Sequence, residues 1–179
     1  KIAKMKKMHP IEALIEQGEH QQLDFKFEVS DSKKIARTLS AFANTDGGRL
    51  LIGVKDNGNI SGVRSEEEYY MIEAASKMYT RPEVPFEATR WEVNGKTVLE
   101  VYIAPSLDKP HTAPDKDDKF KAYIRVADEN ILANEVLVLA WQKKHKQDGT
   151  LLKISKPVER LFAYLDDHPH INVSQFCRI

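Results

Sequence analysis

The chain has 179 residues, 41% of them apolar and 30% charged, a balance that fits a folded globular protein and excludes a disordered one. Lys+Arg and Asp+Glu both number 27, so net charge gives no reason to expect nucleic acid, and any basic surface must be local. The single Cys177 cannot close an internal disulfide, which points to the reducing cytoplasm; no apolar run approaches the ~20 residues of a membrane span.

The first segment, KIAKMKKMHP, is basic, has no apolar secretory core and begins without Met, as a piece of a longer protein would. Pro10 with Ile11, Ala13, Leu14 and Ile15 predicts a short amphipathic helix stopped by Gly18. Leu23 to Val29 alternates apolar and charged residues, the pattern of a strand with one wet face. Ser30-Asp31-Ser32 offers caps to a helix through about Asn44, with Ile35, Ala36, Leu39, Phe42 and Ala43 at helical spacing. Asn44-Thr45-Asp46-Gly47-Gly48 ends that helix. Both glycines are expected at positive φ, with Asn44 and Thr45 satisfying helix-end carbonyls. Leu50 to Val54, including Gly53, reads as a buried strand, and Asp56-Asn57-Gly58 as a hairpin turn into Ile60–Val63.

A helix is predicted over about 66–79, then a hairpin of 86–93 and 98–103 turned by Asn94-Gly95. Residues 104–118 read as a loop, 119–126 as a strand and 133–143 as a helix. The polar stretch 144–153 reads as a linker. Beyond it, Val158, Leu161, Phe162 and Leu165 form a helical stripe; His168-Pro169 stops it, and 171–176 begins another helix. Helix, turn, helix is how a helix-turn-helix domain starts.

Glu19, Leu23-Asp24-Phe25-Lys26, Ala41–Gly48 (AFANTDGG), Ile52-Gly53-Val54, Lys109-Pro110-His111 and Tyr123-Ile124-Arg125-Val126 together resemble the Schlafen AlbA_2 domain. The likeness covers roughly residues 10–143, and its most specific part is the FANTDGG–IGV block. It implies an α+β domain with a mixed sheet packed against helices, over 1–143, often followed by a winged helix, here begun in 154–179. It also implies a DNA-binding transcriptional regulator. In Schlafen nucleases three acidic residues hold a divalent metal; the matching positions are Glu19, Asp24 and, less securely, Asp56. The family usually has Glu at position 24, so the carboxylate here reaches one methylene less.

An acidic trio makes chemical sense for a nuclease. Hard Mg²⁺ or Mn²⁺ prefers carboxylate oxygen and can activate water. Lys26 shares a strand face with Asp24 and is placed for a phosphate. The plainer reading makes Asp24, Lys26 and Glu28 a solvated strand face and Asp56 a turn former. Gly53 to Gly58 has the glycine spacing of a phosphate-binding loop, but Asn59-Ile60 follows where Lys-Ser/Thr is required, so ATP is not expected. Lys143, Lys144 and Lys146 in the linker region, with Arg37, Arg49 and Arg125 on the body, are candidate phosphate contacts. The expectation is therefore a nucleic-acid partner, DNA before RNA, with no cofactor. A metal-dependent endoribonuclease using Mg²⁺ or Mn²⁺ is the alternative, and an oligomerising or effector-sensing module the third.

Overall fold

The computed structural model describes residues 8–144 and 154–178. The chain divides into two compact units, Lys1–His145 and Lys146–Ile179. The first runs α1 (Pro10–Ile15), β1 (Leu23–Lys26), α2 (Ser32–Asn44), β2 (Gly48–Ile52), α3 (Glu67–Tyr79), β3 (Glu87–Val93), β4 (Lys96–Ile103), β5 (Thr112–Pro114), β6 (Phe120–Val126), β7 (Glu129–Leu132) and α4 (Glu135–Lys144). The second holds α5 (Lys156–Asp167) and α6 (Val173–Phe176). No helix among the described residues is long and apolar enough to cross a membrane.

Two sheets organise the first unit. One has the order β1-β2-β4-β3, the other β5-β6-β7. β1 and β2 are parallel, with Leu23 opposite Arg49 and Lys26 opposite Ile52. Parallel neighbours need a crossover, and α2 provides it. The remaining pairings are antiparallel. The architecture is α+β, a mixed sheet packed with helices.

The central strand β2 is covered on both faces, so Leu50-Leu51-Ile52 is a continuous apolar run rather than an alternating one. Leu50 and Ile52 join the core of Leu39, Phe42, Ile72, Val101 and Ile103. Leu51 turns to the other face, against Ile11, Phe25, Val54 and Val98.

Asp31 caps α2 by accepting from the N–H groups of Lys33 (2.8 Å) and Lys34 (3.3 Å). An amphipathic stripe was expected, yet every residue of α2 from Thr38 to Asn44 is buried. The helix packs against β4 of the first sheet, all three strands of the second, and α3, so its last two turns have no wet side. Small residues such as Ala36, Ser40, Ala41 and Ala43 allow that approach.

Three local expectations need correction. Gly47 does sit at φ +69°, but Gly48 is not at positive φ. Its requirement is space: a Cβ there would lie 2.6 Å from two ring carbons of Phe42. Ile60–Val63 is not a strand; it makes one bridge, Val54 to Ile60, while Ser61 and Gly62 both donate to the Gly53 carbonyl. Gly53 and Gly58 have φ of +89° and +79°. Finally, β5 lies inside the expected 104–118 loop, and β7 was not foreseen. Ala127, at φ +54°, begins the β6–β7 turn without the glycine that would have announced it.

In the second unit, Pro157 sits in the first turn of α5. Asn172 and Gln175 form a reciprocal capping box at α6, with bonds of 2.8 and 2.9 Å.

Gly48→Ala is expected to cost roughly 1–3 kcal/mol by overpacking, read as a lowered urea midpoint. Unchanged stability would refute the close contact with Phe42.

Candidate functional site

β1 sends Leu23 and Phe25 into one core and leaves Asp24 and Lys26 on the opposite face. That face was expected to be solvated. Instead the second sheet approaches it, and Asp24 is only 3% exposed. Burial of a carboxylate is costly unless it is paired. The partner is Arg125 of β6, 2% exposed, whose Nη2 lies 2.9 Å from Asp24 Oδ1.

Arg125 is held from several sides. Its Nη2 also donates to the carbonyls of Leu23 (3.3 Å) and His20 (3.4 Å), and Nη1 to Asn130 Oδ1 (3.1 Å). The guanidinium carbon sits 5.2 Å from the centre of the Phe42 ring. Asn130 of β7 in turn donates to Thr38 Oγ1 on α2 at 2.9 Å. Lys26 Nζ lies 2.7 Å from Asp24 Oδ2 and donates to the Phe25 carbonyl at 2.8 Å. Glu19 Oε1 accepts from Phe25 N–H at 2.8 Å. Burial raises the Glu19 carboxyl above its ordinary value; the Phe25 N–H opposes this and the Asp24 charge reinforces it.

A second clamp stands beside the first. Asn44 does not merely finish α2. Its Nδ2 donates to the carbonyls of His111 and Tyr123, both at 2.8 Å, and its Oδ1 accepts from His111 N–H at 2.8 Å. Thr45 Oγ1 does satisfy a helix-end carbonyl, that of Ala41 (2.7 Å), and also accepts from Arg125 N–H (2.9 Å). His111, buried, has Nδ1 2.9 Å from the Pro82 carbonyl and Nε2 2.7 Å from Ser106 Oγ. A carbonyl only accepts, so Nδ1 carries the proton and neutral Nε2 accepts the serine hydroxyl. Burial lowers the His111 pKa, with the Pro82 bond opposing.

Next to this network lies an open cleft of about 770 Å³. Lys26, Lys34, Arg37 and Lys116 are its cations, and Thr38 and Asn130 tie its wall to the Arg125 clamp. Glu28, Asp31, Asp115, Asp117 and Glu129 line it too, and of these Asp31 is engaged in capping α2. Asp115 is engaged in its own turn, accepting from Asp117 and Lys119 N–H at 2.8 and 2.9 Å, bonds that lower its pKa.

The expected site residues are only partly gathered here. Glu19, Asp24 and Lys26 are neighbours. Asp56 is exposed in the turn beyond the C-terminal end of β1, whereas Glu19 precedes its N-terminal end. Among the described residues no three His, Cys, Asp or Glu are grouped to hold a metal ion. Arg125, expected as a phosphate contact, is instead interior, because its charge is required by Asp24. Arg37 lines the cleft and its Nε donates to the Pro114 carbonyl at 2.7 Å. Arg49 lies outside the cleft, paired with Glu100 at 2.7 Å and stacked near Tyr102. Lys143 and Lys144 end α4; Lys146 lies outside the described residues. Lys34, Lys116 and Asn130 were missed, since a polar residue on a capped helix or in a turn carries no signal of its own.

The Schlafen, AlbA_2 family model matches residues 19–134. Among solved structures, the DIP2311 protein of Corynebacterium diphtheriae is similar at 23% identity and TM-score 0.54, over 73% of this chain and 28% of that one. The N-terminal domain of a RecG-related protein from Nitrosomonas europaea is similar at 22% identity and TM-score 0.42, over 72% of this chain and 97% of that one. No curated protein matches.

Arg125→Met should destabilise the fold by about 3–5 kcal/mol, because it strands a buried carboxylate; Asp24→Leu/Arg125→Met should recover part of that loss in urea denaturation. A single variant as stable as wild type would show the pair to be dispensable. The depressed His111 pKa means the unfolded chain binds the proton more readily. Its stability contribution is therefore full above ~6.5 and lost as pH falls from there through the lowered folded-state value. Denaturation curves between pH 8 and 5 should show this loss in wild type and a smaller one in His111→Gln.

Proposed function

The chain belongs to the Schlafen AlbA_2 family, and from that premise we propose that it binds nucleic acid as the DNA-binding module of a transcriptional regulator. Family membership supplies the partner class. The observation that favours binding over cleavage is the engagement of Asp24, whose two oxygens face Arg125 at 2.9 Å and Lys26 at 2.7 Å. A carboxylate set between two cations is already neutralised and acts as a strut, although its buried Oδ2 accepts no hydrogen bond. With Asp56 apart from Glu19 and Asp24, the acidic set does not fit the metal that a nuclease reading requires.

The cleft supports the same reading. Lys34, Arg37 and Lys116 line it without an ion-pair partner among the described residues, so each is available to a phosphate. In the second unit, α5, the turn at 168–172 and the capped α6 support the reading of 154–179 as the start of a winged helix.

The test is fluorescence anisotropy of the chain with a labelled 20-bp duplex and an RNA hairpin at 50 and 200 mM salt. About three phosphate contacts predict a loss of affinity on the order of 40-fold across that range. Lys34→Glu/Lys116→Glu should weaken binding and flatten the salt dependence. Absence of binding to both nucleic acids would overturn the proposal. Mn²⁺-dependent RNA cleavage that disappears in Asp24→Asn would replace it with the endoribonuclease reading.

A further inference from the structure

β3 is the outer strand of its sheet and pairs only with β4. Asn94 at φ +52° and Gly95 at φ +75° make the two-residue turn of a tight hairpin, so Val93 and Lys96 exchange both hydrogen bonds. Antiparallel alternation then directs the N–H and C=O groups of Glu92, Arg90 and Ala88 away from the sheet. Glu87 to Arg90 are all exposed. The edge is seven residues long, contains no proline and is left uncovered by the described residues of its unit, the usual condition for adding another strand.

The surface beside that edge is shaped. Ala88 and Arg90 stand opposite Val101 and Leu99, on the face covered by α3. Two depressions of about 330 and 300 Å³ follow one another there, and Tyr69 and Ala88 line both. Tyr69 forms edge contacts with Tyr70 at 5.8 Å and Phe86 at 6.1 Å, making an aromatic ridge. Tyr70 is 58% exposed, a ring face open to a cation.

The charge of this groove selects its occupant. Glu66, Glu73 and Glu83 lie along it, and its two cations are already taken: Arg90 by Glu66 and Lys77 by Glu73, each at 2.7 Å. Glu83 has no ion-pair partner among the described residues. Phosphate is repelled here. A second copy pairing edge to edge would bring the same carboxylates together.

We propose that the β3 edge and the α3 groove bind an extended basic segment of another protein as a fifth strand. Backbone bonds to Ala88, Arg90 and Glu92 would supply affinity. Alternate side chains would enter the two depressions, and Lys or Arg would meet Glu73, Glu83 and Tyr70. The cleft proposed for nucleic acid involves β1, at the opposite edge of the sheet order, so each proposal can fail without the other.

The probe is a capped heptapeptide of alternating Lys and Val, titrated into the isotope-labelled chain and followed by amide shifts and hydrogen exchange. Expected are saturable shifts at Tyr69, Tyr70, Ala88, Arg90 and Glu92, and slowed exchange at the three β3 amides. A Lys/Pro peptide, unable to pair as a strand, should not bind. Glu73→Lys/Glu83→Lys should weaken the Lys/Val peptide at least tenfold and turn preference to a Glu/Val one. Ala88→Pro removes an outward N–H without touching the ladder and should abolish binding in a folded protein; the charge reversal decides if that variant does not fold. No shifts at millimolar peptide, equal binding of the Lys/Pro peptide, or shifts centred on the cleft would each overturn the proposal.

Discussion

The contact between Asp24 and Arg125 joins what would otherwise be two separate sheets. Neither group tolerates burial alone, and each is nearly inaccessible. The pair therefore exists only when β1 and β6 are in register across the end of α2. The surrounding bonds to His20, Leu23 and Asn130 engage the two terminal nitrogens of Arg125, while its buried Nε has no hydrogen-bond partner. A hydrophobic pair of similar volume would be simpler to bury, but it would accept several offsets. A charged pair with directed hydrogen bonds accepts one.

The same logic extends to Asn44. A side chain with one acceptor and two donors meets the N–H and C=O of His111 and the C=O of Tyr123. These strands therefore take their positions from the last turn of α2. His111 completes the arrangement by bonding both ring nitrogens in the neutral form. The residues that make this sequence look like its family, in LDFK, FANTDGG, KPH and YIRV, thus meet in one interior network. Their common role is to set the geometry of the chain's interior.

The proposed contacts consequently lie around this network rather than within it. The cleft beside β1 borrows its wall from Thr38 and Asn130, which the clamp holds in place. At the other edge of the sheet, β3 leaves backbone groups unpaired next to an acidic, aromatic groove. One small sheet thus offers two edges of different chemistry. Lysines, an arginine and carboxylates together line the cleft beside one, and glutamates border the other.

Much of this fold was legible in the chain because its signals are local. Asp31 as a cap, Asn94-Gly95 as a tight turn, the Gly47 reversal and the helical stripes of α2 and α5 all act within a few residues. What the sequence could not disclose was the fate of Asp24 and Arg125, which lie 101 positions apart. Each looks solvated when only its neighbours in sequence are considered. β7 escaped notice because its strand character comes from pairing with β6 rather than from its own alternation, and Gly48 because its constraint is the Phe42 ring rather than its own φ. Local propensity determined where helices and most strands begin and end. Only tertiary packing decided which charges are interior struts and which remain on the surface, since burial is a property of what arrives opposite a residue.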